Sequence, residues 1–321
     1  MNNILITSAG RRVSLVRFFQ KELKRFFPDA KVFTTDLNPD FSAACAVSDE
    51  AFAISRVTDA KYIDQLLALA KAQNVGMIVP TIDTELLVLA QNRDLFKQHG
   101  IEVVVSDENM VSIFRDKRKT HSFFDQHNIG RATEFSKTDF SLPIYIKPYD
   151  GSRSVDNYVI LSENQLTDYH FSNEKLMFLE YLEHASHTEF TIDLYYDKNG
   201  DLKCFIPRQR IEVRDGEVNK AVTKFTDFCD LLSQKLASVK GFRGCITFQV
   251  FVNNSNGNLY GIEINPRFGG GYPLSYLSGG NFPQWLIREY FLDEQIDNCD
   301  TWEKDLMMLR YDDEVLVRNA K

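Results

Sequence analysis

The chain carries 321 residues and a formal charge of −8, from 45 acidic and 37 basic side chains; that balance argues against general nucleic-acid binding, because phosphate backbones reward a basic face. At about 150 residues per domain the length implies two or three compact units, and no apolar stretch is long enough to span a bilayer. Cys45, Cys204, Cys229, Cys245 and Cys299, odd in number and without paired spacing, argue for free thiols in a reducing compartment and against zinc, so a soluble cytoplasmic protein is expected.

The first hundred residues alternate strand and helix. A strand at Ile4 to Thr7, a helix from about Val13 to Phe26, a strand at Lys31 to Thr35, a helix from Ala60 to Ala72 and a strand at Met77 to Val79 predict a small parallel α/β domain. Ser8-Ala9-Gly10-Arg11-Arg12 follows the first strand and Asp36 the second, an order reminiscent of a dinucleotide site. Only one glycine stands where that fingerprint needs three, which disfavours a nicotinamide-dependent oxidoreductase. Gly10, Arg11, Asp36 and Pro80-Thr81-Ile82-Asp83 fall at the carboxyl ends of predicted strands, where parallel sheets bind ligands.

Arg115, Lys117, Arg118 and Lys119 open a segment whose apolar spacing through His121-Ser122-Phe123-Phe124 predicts a helix. Such a charge run is ordinarily a solvated face. In Ile144-Tyr145-Ile146-Lys147-Pro148 an apolar strand delivers one cation at its end, and Pro148 stops the ladder there. Asp150-Gly151-Ser152-Arg153-Ser154 follows, with a glycine and small side chains that suit either a hairpin turn or a loop folded over phosphate oxygens. Lys175 to Leu182 is an apolar run that stops at charge, and Glu189 to Tyr195 reads as an amphipathic strand with Glu189 and Asp193 outward. Arg208 and Arg210, two apart on a likewise extended segment, share a face. Arg210 suits contact with a transferred phosphate or an acceptor carboxylate, or a surface salt bridge with Glu212 or Glu217.

Near the end, Cys245 to Val252 and Leu259 to Phe268 are strands separated by Asn253-Asn254-Ser255-Asn256-Gly257-Asn258, strong hairpin punctuation. Glu263 and Asn265 project to one side while Ile262 and Ile264 point into packing. A hairpin symmetric about Asn256 sets Gln249 opposite Glu263. One carboxylate and two amide oxygens then converge, a donor set suited to Mg²⁺ or Mn²⁺ that keeps part of its shell for water and phosphate. Arg267, after Pro266, offers a guanidinium to phosphate.

Taken together, Gln249, Glu263-x-Asn265-Pro266-Arg267, the glycine-rich Phe268-Gly269-Gly270-Gly271-Tyr272-Pro273, Tyr145-Ile146-Lys147-Pro148, Gly151 to Val155 and Glu180-Tyr181-Leu182 occur in one order. In that order the chain resembles an ATP-grasp ligase of the carbamoyl-phosphate-synthase large-subunit-like kind, most closely from about Asp107 onward. The resemblance implies a mixed α/β and α+β architecture: an N-terminal Rossmann-like domain over residues 1–106, a small ATP-grasp lobe over 107–178 and a C-terminal lobe over 179–321 that carries the metal hairpin. It also implies ATP between the last two units.

By the same resemblance Lys117, Lys147, Gly151, Ser152 and Ser154 meet the phosphates. Glu180, Tyr181 and Leu182 receive adenine, Glu180 and Leu182 largely through main chain, and Glu189, beside Asp193, accepts the ribose hydroxyls. Gln249, Glu263 and Asn265 hold the metal, Arg267, Arg210 and Lys147 serve the transfer, and the strand ends of the first domain border the acceptor. The implied reaction joins a small-molecule carboxylate, activated as an acyl phosphate, to an amine, with a homodimer as assembly and neither nucleic acid nor membrane as partner. The alternative is a catalytically inactive ATP-binding sensor, against which the intact Glu263-x-Asn265 pair counts. The chain departs from the full synthase subunit in having one ATP-grasp unit and no glutamine-hydrolysing domain. It also has Arg153 where glycine is frequent and Gln249 where many relatives use an acid.

Overall fold

The structure, a computed structural model, describes residues 1–151, 155–214 and 216–318. The first sheet uses β1 (Asn3–Ile6), β2 (Val32–Asp36), β3 (Glu50–Ala53), β4 (Val75–Val79) and β5 (Glu102–Val103), interleaved with α1 (Val13–Phe26), α2 (Ala43–Val47), α3 (Tyr62–Ala72), α4 (Asp83–Gln91) and α5 (Arg93–Lys97). All its pairings are parallel, in the order β3-β2-β1-β4-β5. Every residue of β4 is buried, as expected of a strand covered on both faces. Leu15, Val16, Phe19 and Leu23 make the buried stripe of α1. The chain leaves β1 for β2 on one side and later for β4 on the other, so the carboxyl ends open a crevice between β1 and β4.

Next come α6 (Glu108–Arg115), α7 (Lys117–Gln126), β6 (Glu134–Phe135), β7 (Ile144–Pro148), β8 (Tyr158–Ile160), α8 (Asp168–Ser172) and β9 (Leu176–Glu180). Their strands form an antiparallel sheet in the order β6-β9-β7-β8. Asp116 divides the basic run into two helices, its side chain capping α7 by accepting from Arg118 N–H at 2.9 Å. Lys117, Arg118 and Lys119 thus occupy the first turn of α7, where the helix dipole disfavours cations by a few tenths of a kcal/mol. Nothing local selects cations there.

The third sheet contains β10 (His187–Tyr196), β11 (Leu202–Arg214), β12 (Glu217–Thr223), β13 (Gly244–Asn253), β14 (Leu259–Asn265) and β15 (Met307–Leu309), with α9 (Phe228–Ala237) before β13 and α10 (Tyr272–Leu277) and α11 (Phe282–Phe291) after β14. Its order is β14-β13-β10-β11-β12-β15. Phe190, Ile192, Phe248, Val250 and Ile264 pack one face against Phe124 of α7 and Leu232 of α9. By alternation the other face carries Glu189, Thr191, Asp193, Arg208, Arg210, Gln249 and Glu263. Farther along that face Tyr195, Cys204 and Cys245 join Tyr272, Trp285 and residues of α1 in one core that also holds Ile4 and Ile6 of β1. Half of the face is therefore packing and half is left for chemistry.

Candidate active site

The hairpin brings Gln249 directly opposite Glu263, as its sequence symmetry predicts, but by an unexpected route. From Val252↔Leu259 to Val250↔Gly261 the ladder runs in a register that would carry Gln249 to Ile262. Ile262 is an extra residue on β14, a bulge that shifts the partner of Gln249 to Glu263. Gly261 beside it meets the 129–131 segment, its N–H donating to Gly130 O at 2.7 Å, and a Cβ there would stand 2.7 Å from Phe124 Cζ. Asn265 Nδ2 donates to Glu263 Oε1 at 2.8 Å, which orients the carboxylate along the strand.

Two cations face this hairpin from the smaller sheet and its helix. Lys147, buried at the end of β7, makes no ion pair among the described residues. Burial, then repulsion from Lys117, lowers its pKa from 10.5 to about 8, with Glu263 pulling the other way. Lys117 is also lowered by burial and also feels Glu263, so the three groups act on one another. Lys117 Nζ donates to Gly151 O at 2.6 Å, tying the start of the glycine-bearing loop to α7. A Cβ on Gly151 would meet Pro148 Cγ at 2.4 Å, so the turn requires glycine. Ser152 and Ser154, expected on this loop, lie outside the described residues.

At the other end of the cleft, Leu182 is buried with Ala132, Met177 and Leu179, and Tyr145, Phe251, Tyr260 and Ile262 complete an apolar shelf between the two sheets. The Glu180 carboxylate accepts from Thr133 N–H at 3.1 Å and Thr133 Oγ1 at 3.0 Å, so its side chain is engaged at home. Tyr181 beside it is half-buried. Glu189 and Arg210 form an ion pair of 3.1 Å and line a cavity of about 440 Å³ with His184 and His187, two residues the sequence reading missed. Burial raises the pKa of Glu189 in spite of Arg210.

Two expectations change here. The surface partners expected for Arg210 are otherwise engaged: Glu212 pairs with Lys220 at 2.6 Å and Glu217 with Arg310 at 3.0 Å. Asp193, read as outward and near ribose, is fully buried, accepting from Arg208 Nε at 2.8 Å and from Ser275 Oγ at 2.6 Å. It is an internal anchor for Arg208, because β11 puts Arg208 within diagonal reach of Asp193.

Arg267 leaves the hairpin and pairs with Asp83 at 2.8 Å, joining the end of β14 to the first residue of α4. Gly10 and Asp36, past the ends of β1 and β2 as expected, bond to each other: Gly10 N–H donates to Asp36 Oδ2 at 3.0 Å. The 80–82 segment is held by Glu85, whose carboxylate takes Thr81 N–H at 2.8 Å, Ser8 Oγ at 2.9 Å and Tyr62 Oη at 3.1 Å. Arg12 donates to Thr81 O at 3.2 Å.

Among the described residues no three His, Cys, Asp or Glu side chains gather into a metal-holding group. Gln249, Glu263 and Asn265 offer a single carboxylate with amide oxygens, which fits a hard divalent ion held mainly by phosphate and water. No helix among the described residues is long and apolar enough to cross a membrane.

Residues 4–104 match the family model for the PylC-like N-terminal domain, and residues 172–313 match that for ATP-grasp in the biosynthetic pathway with Ter operon. No curated protein matches the chain. Among solved structures it is similar to the biotin carboxylase–β-γ-ATP complex from Campylobacter jejuni, at 14% identity and a TM-score of 0.74, over 95% of this chain and 74% of that one. The biotin carboxylase domain of Hydrogenobacter thermophilus 2-oxoglutarate carboxylase, in complex with MgADP, ADP and bicarbonate, gives 14% identity and a TM-score of 0.72 over 95% and 73%. N5-carboxyaminoimidazole synthetase from Staphylococcus aureus with ADP gives 16% and 0.70 over 92% and 78%. At such identities the likeness is one of fold.

Proposed function

We propose, from the match of residues 172–313 to an ATP-grasp family model and from the shared fold, that this chain is an ATP- and Mg²⁺-dependent enzyme that activates a carboxylate as an acyl phosphate for attack by an amine. The observation that carries this reading is the convergence of Gln249, Glu263 and Asn265 with Lys117 and Lys147, two carrier sheets facing across one cleft. Phosphoryl transfer needs positioning and charge neutralisation more than covalent help. In this reading residues 1–106, 107–178 and 179–321 act as three units, and ATP lies between the last two with adenine on the shelf near Leu182.

Gln249, Glu263 and Asn265 would hold the metal, which supplies charge neutralisation at phosphate oxygens. Lys147 and Lys117 hold the triphosphate, and their depressed basicity reflects a pocket short of negative charge until nucleotide arrives. Arg267, braced by Asp83, lies on the acceptor side. The acceptor carboxylate attacks the γ-phosphorus, ADP leaves, and the amine then displaces phosphate from the acyl carbon. Glu189 reads as the ribose acceptor and Arg210 as the cation that orients it.

The test is ADP and phosphate release with Mg-ATP against small carboxylates, including amino acids, each with and without an amine. Release that requires a pair supports the ligase and identifies its substrates. Mg-ATP binding with no acceptor-dependent release would instead favour a nucleotide-responsive binding protein.

A further inference from the structure

A second cavity, of about 50 Å³, lies where the loop after β1, the glycine bend after β14 and the segment after β15 meet. A single water needs roughly 10–15 Å³ on that scale, so the space suits one group of a few non-hydrogen atoms. Arg11, Arg12 and Arg310 line it against one carboxylate, Glu217, in a protein whose formal charge is −8. Arg11 is exposed and has no ion pair among the described residues, while Arg310 holds Glu217 at 3.0 Å. Three guanidinium groups thus face one carboxylate in the lining, and burial, then Arg267, lowers the Arg12 pKa to about 10 against the pull of Glu217 and Asp83.

A helix terminus points the same way, and a buried guanidinium lies behind the glycine bend that forms part of the wall. Helix α1 begins at the cavity with Ser14 in its lining, no side-chain cap and no acidic residue in its first turn, leaving the positive end of its dipole unanswered. Arg208 is fully buried under the bend: a Cβ on Gly271 would stand 2.3 Å from Arg208 Nη1, and neither Nη1 nor Nη2 has a partner among the described residues.

We propose that this cavity binds a second oxyanion group, carboxylate or phosphate, carried by the acceptor, whose reactive carboxylate lies toward Arg267. This deepens the ligase reading and rests on it: the acceptor class becomes a small molecule with at least two anionic groups. Guanidinium forks and a helix terminus together suit a multi-oxygen anion.

The test is titration calorimetry on the full chain saturated with Mg²⁺ and a non-hydrolysable ATP analogue, which fills the Lys117–Lys147 site. The probes are inorganic phosphate and malonate. One site is expected, weakened about tenfold or more by Arg11→Ala and by Arg310→Ala while analogue affinity is kept; the tighter probe identifies the oxyanion. Arg11 is exposed, so its removal reports on the site without loading the fold. Absence of probe binding in protein that binds the analogue, or binding lost in Lys147→Ala but kept in Arg11→Ala, overturns the proposal and leaves the ligase reading standing. Probe binding that depends on Arg11 in protein unable to bind the analogue supports the cavity and removes the ligase reading.

Discussion

Arg267 and Asp83, 184 residues apart, pair at 2.8 Å across the junction between the β13–β14 hairpin and the parallel sheet. The pair ties the end of the strand bearing Glu263 and Asn265 to the start of α4. One guanidinium thereby links the proposed phosphate side of the cleft to its proposed acceptor side.

Asp83→Asn keeps the volume and removes the charge, so Arg267 loses its ionic partner and keeps its hydrogen bond to Phe268 O at 3.3 Å. We expect kcat/KM for the acceptor to fall about tenfold while Mg-ATP affinity stays within about threefold. Equal losses in both would assign the pair to nucleotide binding instead.

Glu263→Ala should abolish turnover while leaving adenine-nucleotide affinity within about tenfold, about 1.4 kcal/mol. The check pairs a rate assay with calorimetry and a thermal melt. Loss of binding together with folding would make Glu263 a structural residue.

Lys147, at about 8 against an ordinary 10.5, would bind triphosphate in the proposed site only as the ammonium. Between those values the folded chain holds fewer protons than the unfolded one, so the penalty for burying the charged lysine is fully present below about pH 8 and is lifted as pH rises toward 10.5. Nucleotide affinity should run oppositely, weakening as pH rises past about 8, with binding drawing a proton from the buffer near there. Titration in two buffers of different ionisation heat measures that uptake; identical heats would remove Lys147 from the phosphate site.

Glu189→Gln should weaken ATP about tenfold, the scale of one charged hydrogen bond. It should also erase the preference for ATP over 2′,3′-dideoxy-ATP, which depends on ribose hydroxyls. A variant that still discriminates would place the sugar elsewhere.

Gly271→Ala forces a methyl to within 2.3 Å of Arg208 Nη1 and 2.6 Å of Val218 Cγ1. Overpacking of this kind costs about 1–3 kcal/mol, visible as a lower unfolding midpoint in denaturant. An unchanged midpoint would show that the bend yields.

Much of the geometry of the candidate site was legible because its signals are local. Alternation alone puts Glu263 and Asn265 on one face, and the apolar run before Lys147 places it at a strand end. Val13–Phe26 follows from apolar spacing and matches the observed α1 in both bounds. The bulge at Ile262 was not legible, since the Asn-Gly loop carries the register only as far as Val250, and the neighbouring Gly261 is held by Phe124 and Gly130 from other elements. Nor were the fates of Asp193 and Glu189, both acidic and both on one face of β10: one lies under Ser275 and Arg208, the other opens onto a cavity.

The sequence by itself determined which segments alternate, where the chain turns and which side chains carry oxygen ligands or positive charge, because those follow from backbone period and turn chemistry over a few residues. Only the tertiary structure decided which charges meet. Asp83 with Arg267 and Arg12 near Glu217 are joined by the docking of the first sheet on the third, Arg310 with Glu217 by strand pairing within the third, and Lys147 beside Lys117 by the tie between α7 and the loop after β7. Burial and Coulomb energy act through space, where separation along the chain has no bearing.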